Sequence, residues 1–319
     1  MSVPFRNVAV IGAGAIGIYY GVKLGRSGAA VRFLLRSDLS VVQSRGTMSI
    51  HDASGTVELR PAAVYGNVNE IGPVDLVLVS VKTTANQSLP DLLPPLLGPE
   101  TSVLTFQNGL GAEETIASIV GEERVLGGLA FIALNRTAPG EVRCFHHGSL
   151  ILGQFGRPPS KRTRDLAHQL TAAGIKVDVA ENLATARWQK LVWNIPFNGL
   201  AIAAGGLSTD VICADPKLAE RVHVLMREVQ QAALALGHVI RDDFLQRQFE
   251  VTPPMGAYRP SSLVDFLAGR EVELESIWGE PLRRAEAVGA DVPELKKLYG
   301  ELQQAIVPRN AMNDARGHA

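Results

Sequence analysis

The chain has 319 residues, of which 46% are hydrophobic and 20% charged, and its formal net charge is −1. That length suits about two domains with ordinary globular cores. The balanced charge lacks the basic excess expected for binding nucleic acid or an anionic membrane surface. The two cysteines, Cys144 and Cys213, are far apart and in no metal-ligand spacing, so no disulfide framework and no metal site are expected.

The first predicted element is an apolar strand over 8–11, which runs into Gly12-Ala13-Gly14-Ala15-Ile16-Gly17 and then a helical pattern over 16–28. Glycines at 12, 14 and 17 permit a tight turn and a close backbone approach to a pyrophosphate. The N–H groups of Ala15, Ile16 and Gly17 would face that anion at the positive end of the helix. The strand before and the helix after are the context in which this glycine spacing signals a dinucleotide. Because the strand begins within about eight residues of Met1, no secretory leader is expected.

A second strand is predicted over 30–35 and ends in Leu34-Leu35-Arg36. An acidic residue in this place usually holds the ribose hydroxyls of NAD. A guanidinium suits a 2′-phosphate instead, which favours NADPH, with Asp38 two residues on leaving NADH as the alternative. Short strands follow at 47–50 and 56–59, then a nearly continuous apolar run over 74–81, the mark of a buried parallel strand. Lys82 stands at the carboxyl end of that run, where ligands bind in such sheets. A proline-interrupted helix is expected over 89–97 and a strand over 102–106. Asn108-Gly109 comes next: the asparagine could bond a nicotinamide amide or a substrate, and Asn-Gly is also a strong turn dipeptide. Late strands are expected at 127–134, 140–145 and 149–152, the last two joined by a turn at 146–148 that holds the pair His146-His147. These should extend the same sheet.

From about residue 183 helical patterns dominate, over 183–204, 217–236, 262–268, 272–288 and 294–306, and the polar end 309–319 is expected to fray. The expected fold is an α/β N-terminal Rossmann-type doubly wound parallel sheet plus an all-α C-terminal domain. The boundary falls between 1–180 and 181–319. The longest apolar region, 191–207, is interrupted by Asn194, Pro196 and Asn198 and makes a poor membrane span. A soluble, cytoplasmic protein is expected.

Lys190, Asn194 and Asn198 are spaced four apart in otherwise apolar sequence, so on a helix they form one polar stripe. Burying such groups without partners costs about 2 kcal/mol or more each, which suggests that the stripe lines a cleft. Desolvation would disfavour the charge on the lysine and make it a better proton donor to an alkoxide. The segment 269–279 is rich in carboxylates, and nothing in its periodicity singles out Glu273.

In order and spacing, the glycine turn, Leu-Leu-Arg36, Val-Lys82, Asn108-Gly-Leu-Gly, Trp-x-Lys190-x-x-x-Asn194 and Gly-Arg-x-x-Glu273 resemble the ketopantoate reductases (2-dehydropantoate 2-reductases). The resemblance covers nearly the whole chain. It implies an NADPH-binding Rossmann domain, a helical substrate domain and a substrate held in the cleft between them. The implied reaction reduces the C2 ketone of 2-dehydropantoate to pantoate with NADPH, becoming NADP+. By the same resemblance Lys190 assists proton transfer and Glu273 orients the site. Asn108, Asn194 and Asn198 lie near substrate and nicotinamide, Ser262 binds substrate, and Arg36 and Lys82 contact the cofactor.

The stretch from the serine to Arg270 is one residue shorter than the family pattern, which leaves Ser261 as an alternative to Ser262. Trp278 stands where an asparagine is frequent, Arg259 lies near the place of another, and Pro196 should kink its helix. These departures bear on the pocket and keep open a reductase of another 2-oxo acid or an opine-type enzyme. A non-catalytic NADPH-sensing protein is the reading of another class, against which the intact Lys190, Asn194 and Glu273 argue. The exposed helical faces would accommodate a homodimer, but no feature demands one.

Overall fold

The computed structural model describes residues 4–60 and 63–317, with side chains through 307. The chain divides into two compact units, Met1–Gln107 with Ala112–Leu183, and Asn108–Gly111 with Ala184–Ala319.

The first unit runs β1 (Asn7–Ile11), α1 (Ala15–Arg26), β2 (Ala30–Leu34), α2 (Leu39–Arg45), β3 (Met48–Asp52), β4 (Gly55–Leu59), β5 (Ala63–Tyr65), β6 (Val74–Val79), α3 (Leu89–Leu92), β7 (Leu97–Thr105), α4 (Ala112–Val120), β8 (Val125–Ala138), β9 (Glu141–Gln154), α5 (Lys161–Ala172) and β10 (Val177–Val179). Its strands form one sheet of order β4-β3-β9-β8-β7-β6-β1-β2-β5, with β10 beside β9. The central run β8-β7-β6-β1-β2-β5 is parallel, while β8–β9 and β3–β4 are antiparallel. Central strands are buried on both faces, which explains the nearly continuous apolar run of β6, Val-Asp-Leu-Val-Leu-Val, broken only by the partly buried Asp75. β1 lies between β2 and β6, so the chain leaves it towards one side of the sheet and later returns on the other. The carboxyl end of β1 is therefore a topological switch point, where such sheets bind ligands.

The second unit is helical: α6 (Leu183–Ala203, its first residue in the other unit), α7 (Thr209–Ala214), α8 (Pro216–Ala235), α9 (Asp242–Glu250), α10 (Ser261–Leu267), a π-helical turn Glu275–Gly279, α11 (Glu280–Ala287) and α12 (Pro293–Gly317). Apolar residues at helical spacing close its core, including Val222, Leu225, Met226 and Val229 of α8 and Leu295, Leu298 and Leu302 of α12. Among the described residues no helix is long and apolar enough to cross a membrane.

Four sequence expectations need correction. The three late strands are two, β8 and β9, which meet at Gly140 (φ +69°). The proposed turn at 146–148 lies inside β9. There a register shift between the strands takes up Gly148 (φ +51°), whose missing Cβ would sit 1.6 Å from the Phe131 carbonyl oxygen. The helix expected over 89–97 shrinks to the single turn α3 between two 3₁₀ segments, because Pro94 and Pro95 offer no backbone donor. The continuous helix expected over 272–288 begins only at Leu274 and passes through a π turn. Helices α2, α4, α5, α7 and α9 had no counterpart in the sequence reading. Of the polar end expected to fray, 318–319 lie outside the described residues, and the backbone before them continues α12 to Gly317.

One buried carboxylate ties α8 to the start of α12. Glu228 of α8, 6% exposed, accepts the backbone N–H groups of Glu294 (2.9 Å) and Leu295 (2.7 Å), two of the orphan donors at the start of α12. Burial pushes its pKa up, and the two N–H bonds oppose that shift. Glu228→Ala strands both donors and is expected to destabilise the protein by about 1–3 kcal/mol in urea unfolding. An unchanged midpoint would show that the cap contributes nothing.

Candidate active site

In the first unit the glycines have different tasks. Gly12 (φ +92°) follows β1, and a Cβ there would lie 2.4 Å from Val81 N. A Cβ on Gly17 would strike the Gly12 carbonyl oxygen at 2.2 Å and Ser80 Oγ at 2.4 Å. Ser80 closes the turn by donating from its hydroxyl to the Gly12 carbonyl (2.5 Å). Gly14 is the exception, with open space where its Cβ would project. It is the N-cap of α1, and the first helical hydrogen bond comes from Ile18 N–H to its carbonyl (3.0 Å). The N–H groups of Ala15, Ile16 and Gly17 thus precede the helical ladder, and no acidic residue stands in the first turn. A concave backbone with an open glycine at a positive helix end fits a pyrophosphate. These residues could hold a dinucleotide.

Around this turn, Arg36 is exposed two residues beyond β2. Asp38 is buried, pairs with Arg136 and accepts from Ser37 Oγ (3.2 Å), so its carboxylate is already engaged. Lys82, partly buried, lies three residues past the end of β6 and caps the following 3₁₀ segment.

The second unit gathers the other predicted residues. Lys190 Nζ donates to Asn108 Oδ1 (3.0 Å), and Asn108 Nδ2 donates to Glu273 Oε2 (3.4 Å). One asparagine therefore bridges a lysine on α6 to a carboxylate 165 residues beyond Asn108 in the sequence. Asn108 is held in place by its neighbours. Gly109 (φ +82°) passes so close to the π turn that a Cβ would lie 2.0 Å from the Ser276 carbonyl oxygen, and Leu110 N–H donates to that same oxygen (2.9 Å). The Asn-Gly dipeptide thus makes its turn and also docks it. Burial is the main cause that pulls the Lys190 pKa from 10.5 down to about 7; the charge of Arg187 adds to this and Glu273 opposes it.

Further along the stripe, Asn194 is 9% exposed. Asn198 is buried, and its Oδ1 accepts the backbone N–H of Ser262 (3.0 Å), which satisfies a donor in the first turn of α10. Ser262 is itself buried, whereas Arg259 is exposed. Trp278, suspected above of reshaping a pocket, is fully buried in the helical core, and its indole N–H donates to the Ile195 carbonyl (3.0 Å). Gly199 makes room for it, since a Cβ there would lie 2.9 Å from the indole nitrogen. Trp278 therefore serves the packing of the helical core. The sequence reading missed Ser276, whose role is carried by a backbone carbonyl and leaves no side-chain signal. It also missed Arg187, which the spacing of three before Lys190 could have flagged.

Two family models match the chain: ketopantoate reductase PanE/ApbA over residues 8–157 and its C-terminal counterpart over 182–305. A 2-dehydropantoate 2-reductase of Nostoc sp. is 37% identical over 303 residues, covering 93% of this chain and 94% of that protein. The solved 2-dehydropantoate 2-reductase of Geobacter metallireducens has 39% identity and a TM-score of 0.90, covering 94% of this chain and 99% of that one. The solved enzyme of that name from Methylococcus capsulatus has 35% identity and a TM-score of 0.87, with 93% and 96% covered. The chain belongs to the ketopantoate reductase family, a family of oxidoreductases.

Trp278→Phe removes the indole N–H donor and, because phenyl is smaller than indole, also leaves a cavity in the core. It is expected to cost about 1–3 kcal/mol of stability while leaving the order of preference among 2-oxo acids unchanged. A reordered preference would put Trp278 back into substrate selection.

Proposed function

We propose that the chain is an NADPH-dependent 2-dehydropantoate 2-reductase that works in the cytoplasm. The observation that carries this reading is Lys190, bonded to Asn108 beside Glu273 with a pKa near 7, in a chain that also has an open-glycine turn. The names of the relatives above support the choice of substrate.

The first unit is the dinucleotide domain. The N–H groups of Ala15, Ile16 and Gly17, with Gly12 and Gly14 keeping the backbone clear, would hold the pyrophosphate, and Arg36 the 2′-phosphate. Asp38 is occupied by Arg136 and so is poorly placed to receive ribose hydroxyls. Lys82 would supply a further positive charge. The dinucleotide supplies the hydride when bound.

The helical unit, with Asn108, carries the proton chemistry. The Lys190 ammonium bonds the C2 carbonyl oxygen, polarises it and delivers a proton as the oxygen becomes an alkoxide. A donor with a pKa near the working pH combines the right protonation state with ready transfer. Asn108 and Glu273 fix the direction of the ammonium. Asn194 and Ser262 offer polar groups to the substrate, and Asn198 sets the backbone that presents Ser262. Arg259, exposed just before α10, favours a second reading in which another 2-oxo acid is preferred.

NADPH oxidation followed at 340 nm with 2-dehydropantoate and a panel of 2-oxo acids tests the proposal. Preference for 2-dehydropantoate is expected, and a clear preference elsewhere would overturn the substrate. Lys190→Ala should lower kcat by about 10²-fold or more. Because the acid form is the donor, kcat/KM for reduction should be level below about pH 7 and fall as the pH rises through it. In binding assays Arg36→Ala should weaken NADPH much more than NADH, and equal weakening would defeat the 2′-phosphate assignment.

A further inference from the structure

Asp38 lies two residues beyond Arg36, just past the carboxyl end of β2, and is 8% exposed. The ordinary task of an aspartate at the start of a helix is to cap it. Asp38 does stand at the start of α2, yet its side chain accepts no capping bond from that helix. Its carboxylate is turned elsewhere. Oδ1 accepts from Ser37 Oγ (3.2 Å), and Oδ2 accepts from the guanidinium of Arg136, 98 residues further along.

Arg136 comes from β8, close to the hairpin turn at Gly140, and stands opposite Val142 of β9. The tip of that hairpin is also fastened to α2. Arg45, in the last turn of α2, bonds the Glu141 carboxylate and the Pro139 carbonyl. A Cβ on Gly140 would lie 2.9 Å from Val42 of the same helix. The hairpin is thus held along α2, by Arg45 at the end of the helix and by Arg136 at its start. This fixed hairpin brings a second guanidinium to the turn that follows β2. Arg36 and Asp38 alone would cancel in charge, whereas with Arg136 the three carry a net positive charge. In such folds a carboxylate after β2 holds ribose hydroxyls, and it would repel a 2′-phosphate.

We propose, on the reading that Arg36 meets the 2′-phosphate, that Arg136 is a specificity-determining residue for the cofactor. By pairing with Asp38 it cancels a carboxylate that would otherwise oppose the phosphate and favour the cofactor that lacks it. A site discriminates as much by the repulsion it removes or keeps as by the contacts it makes.

Adenosine 2′,5′-bisphosphate and adenosine 5′-monophosphate differ only in the 2′-phosphate and need neither nicotinamide nor substrate. Their dissociation constants are measured by calorimetry on the full-length protein. The wild type should bind the bisphosphate more tightly. Arg136→Gln should cut that preference about tenfold or more, and adding Asp38→Asn should restore it, because the amide leaves no charge to cancel. A general loosening of the fold would weaken both nucleotides alike, so the ratio reads the charge. An unchanged ratio in Arg136→Gln overturns the proposal, as does a double variant that discriminates no better than the single one. If Arg136→Gln does not fold, Asp38→Asn alone decides: a preference at or above the wild-type value supports the proposal, and a reduced one overturns it. A wild type without any preference sinks the NADPH reading and the proposal together. A wild type whose preference ignores Arg136 sinks the proposal alone.

Discussion

The constraint on which the site depends is the withdrawal of one ammonium from water. A lysine on an apolar helix loses hydration that the protein must replace, and here the replacement includes the Asn108 carbonyl oxygen. That one bond has wide structural consequences. To bring Asn108 to Lys190, the chain must leave β7, turn through Gly109 at positive φ and approach the Ser276 carbonyl too closely for any side chain. The Ser276 carbonyl that it meets belongs to a π turn, a geometry that recurs at functional sites. Lysine, asparagine, glycine and π turn form one connected arrangement.

A similar economy marks the glycine turn. Gly12 and Gly17 are glycines because backbone and the Ser80 hydroxyl occupy the space of a side chain, which is packing within the protein. Gly14 is different, because nothing in the protein fills the space in front of it. A glycine that packing does not require, at the positive end of a helix, points to an outside partner. Three residues of one motif therefore carry two different physical arguments, and only the middle one speaks of a ligand.

The helical unit shows why departures from a family pattern need a structure before they are assigned to substrate choice. Trp278 and Arg259 look alike in the sequence, as bulky or charged residues in place of asparagine. Trp278 has withdrawn into the core, where Gly199 gives it space and the Ile195 carbonyl accepts its N–H. Arg259 has stayed at the surface, next to the helix that carries Ser262. Asn198 makes the complementary point, because an amide in the polar stripe serves a backbone donor of α10.

Local chemistry was legible in the sequence. The first strand, the glycine turn and the helix after it need only short-range rules, and so does the alternation of strand and helix that made the sheet parallel at its centre. The stripe of Lys190, Asn194 and Asn198 follows from helical periodicity alone. What the sequence could not supply are relations between residues far apart along the chain. The hairpin turn moved to Gly140 because Gly148 is needed at a register shift, and register depends on the partner strand. Periodicity could not tell Glu273 from its acidic neighbours; only the family resemblance marked it, and the fold sets Asn108 beside it. The lowered proton affinity of Lys190 is likewise a property of its surroundings, since burial, Arg187 and Glu273 act on it through space. Sequence determines which groups are available and the period at which they face one way; desolvation and pairing act at distances that only tertiary structure decides.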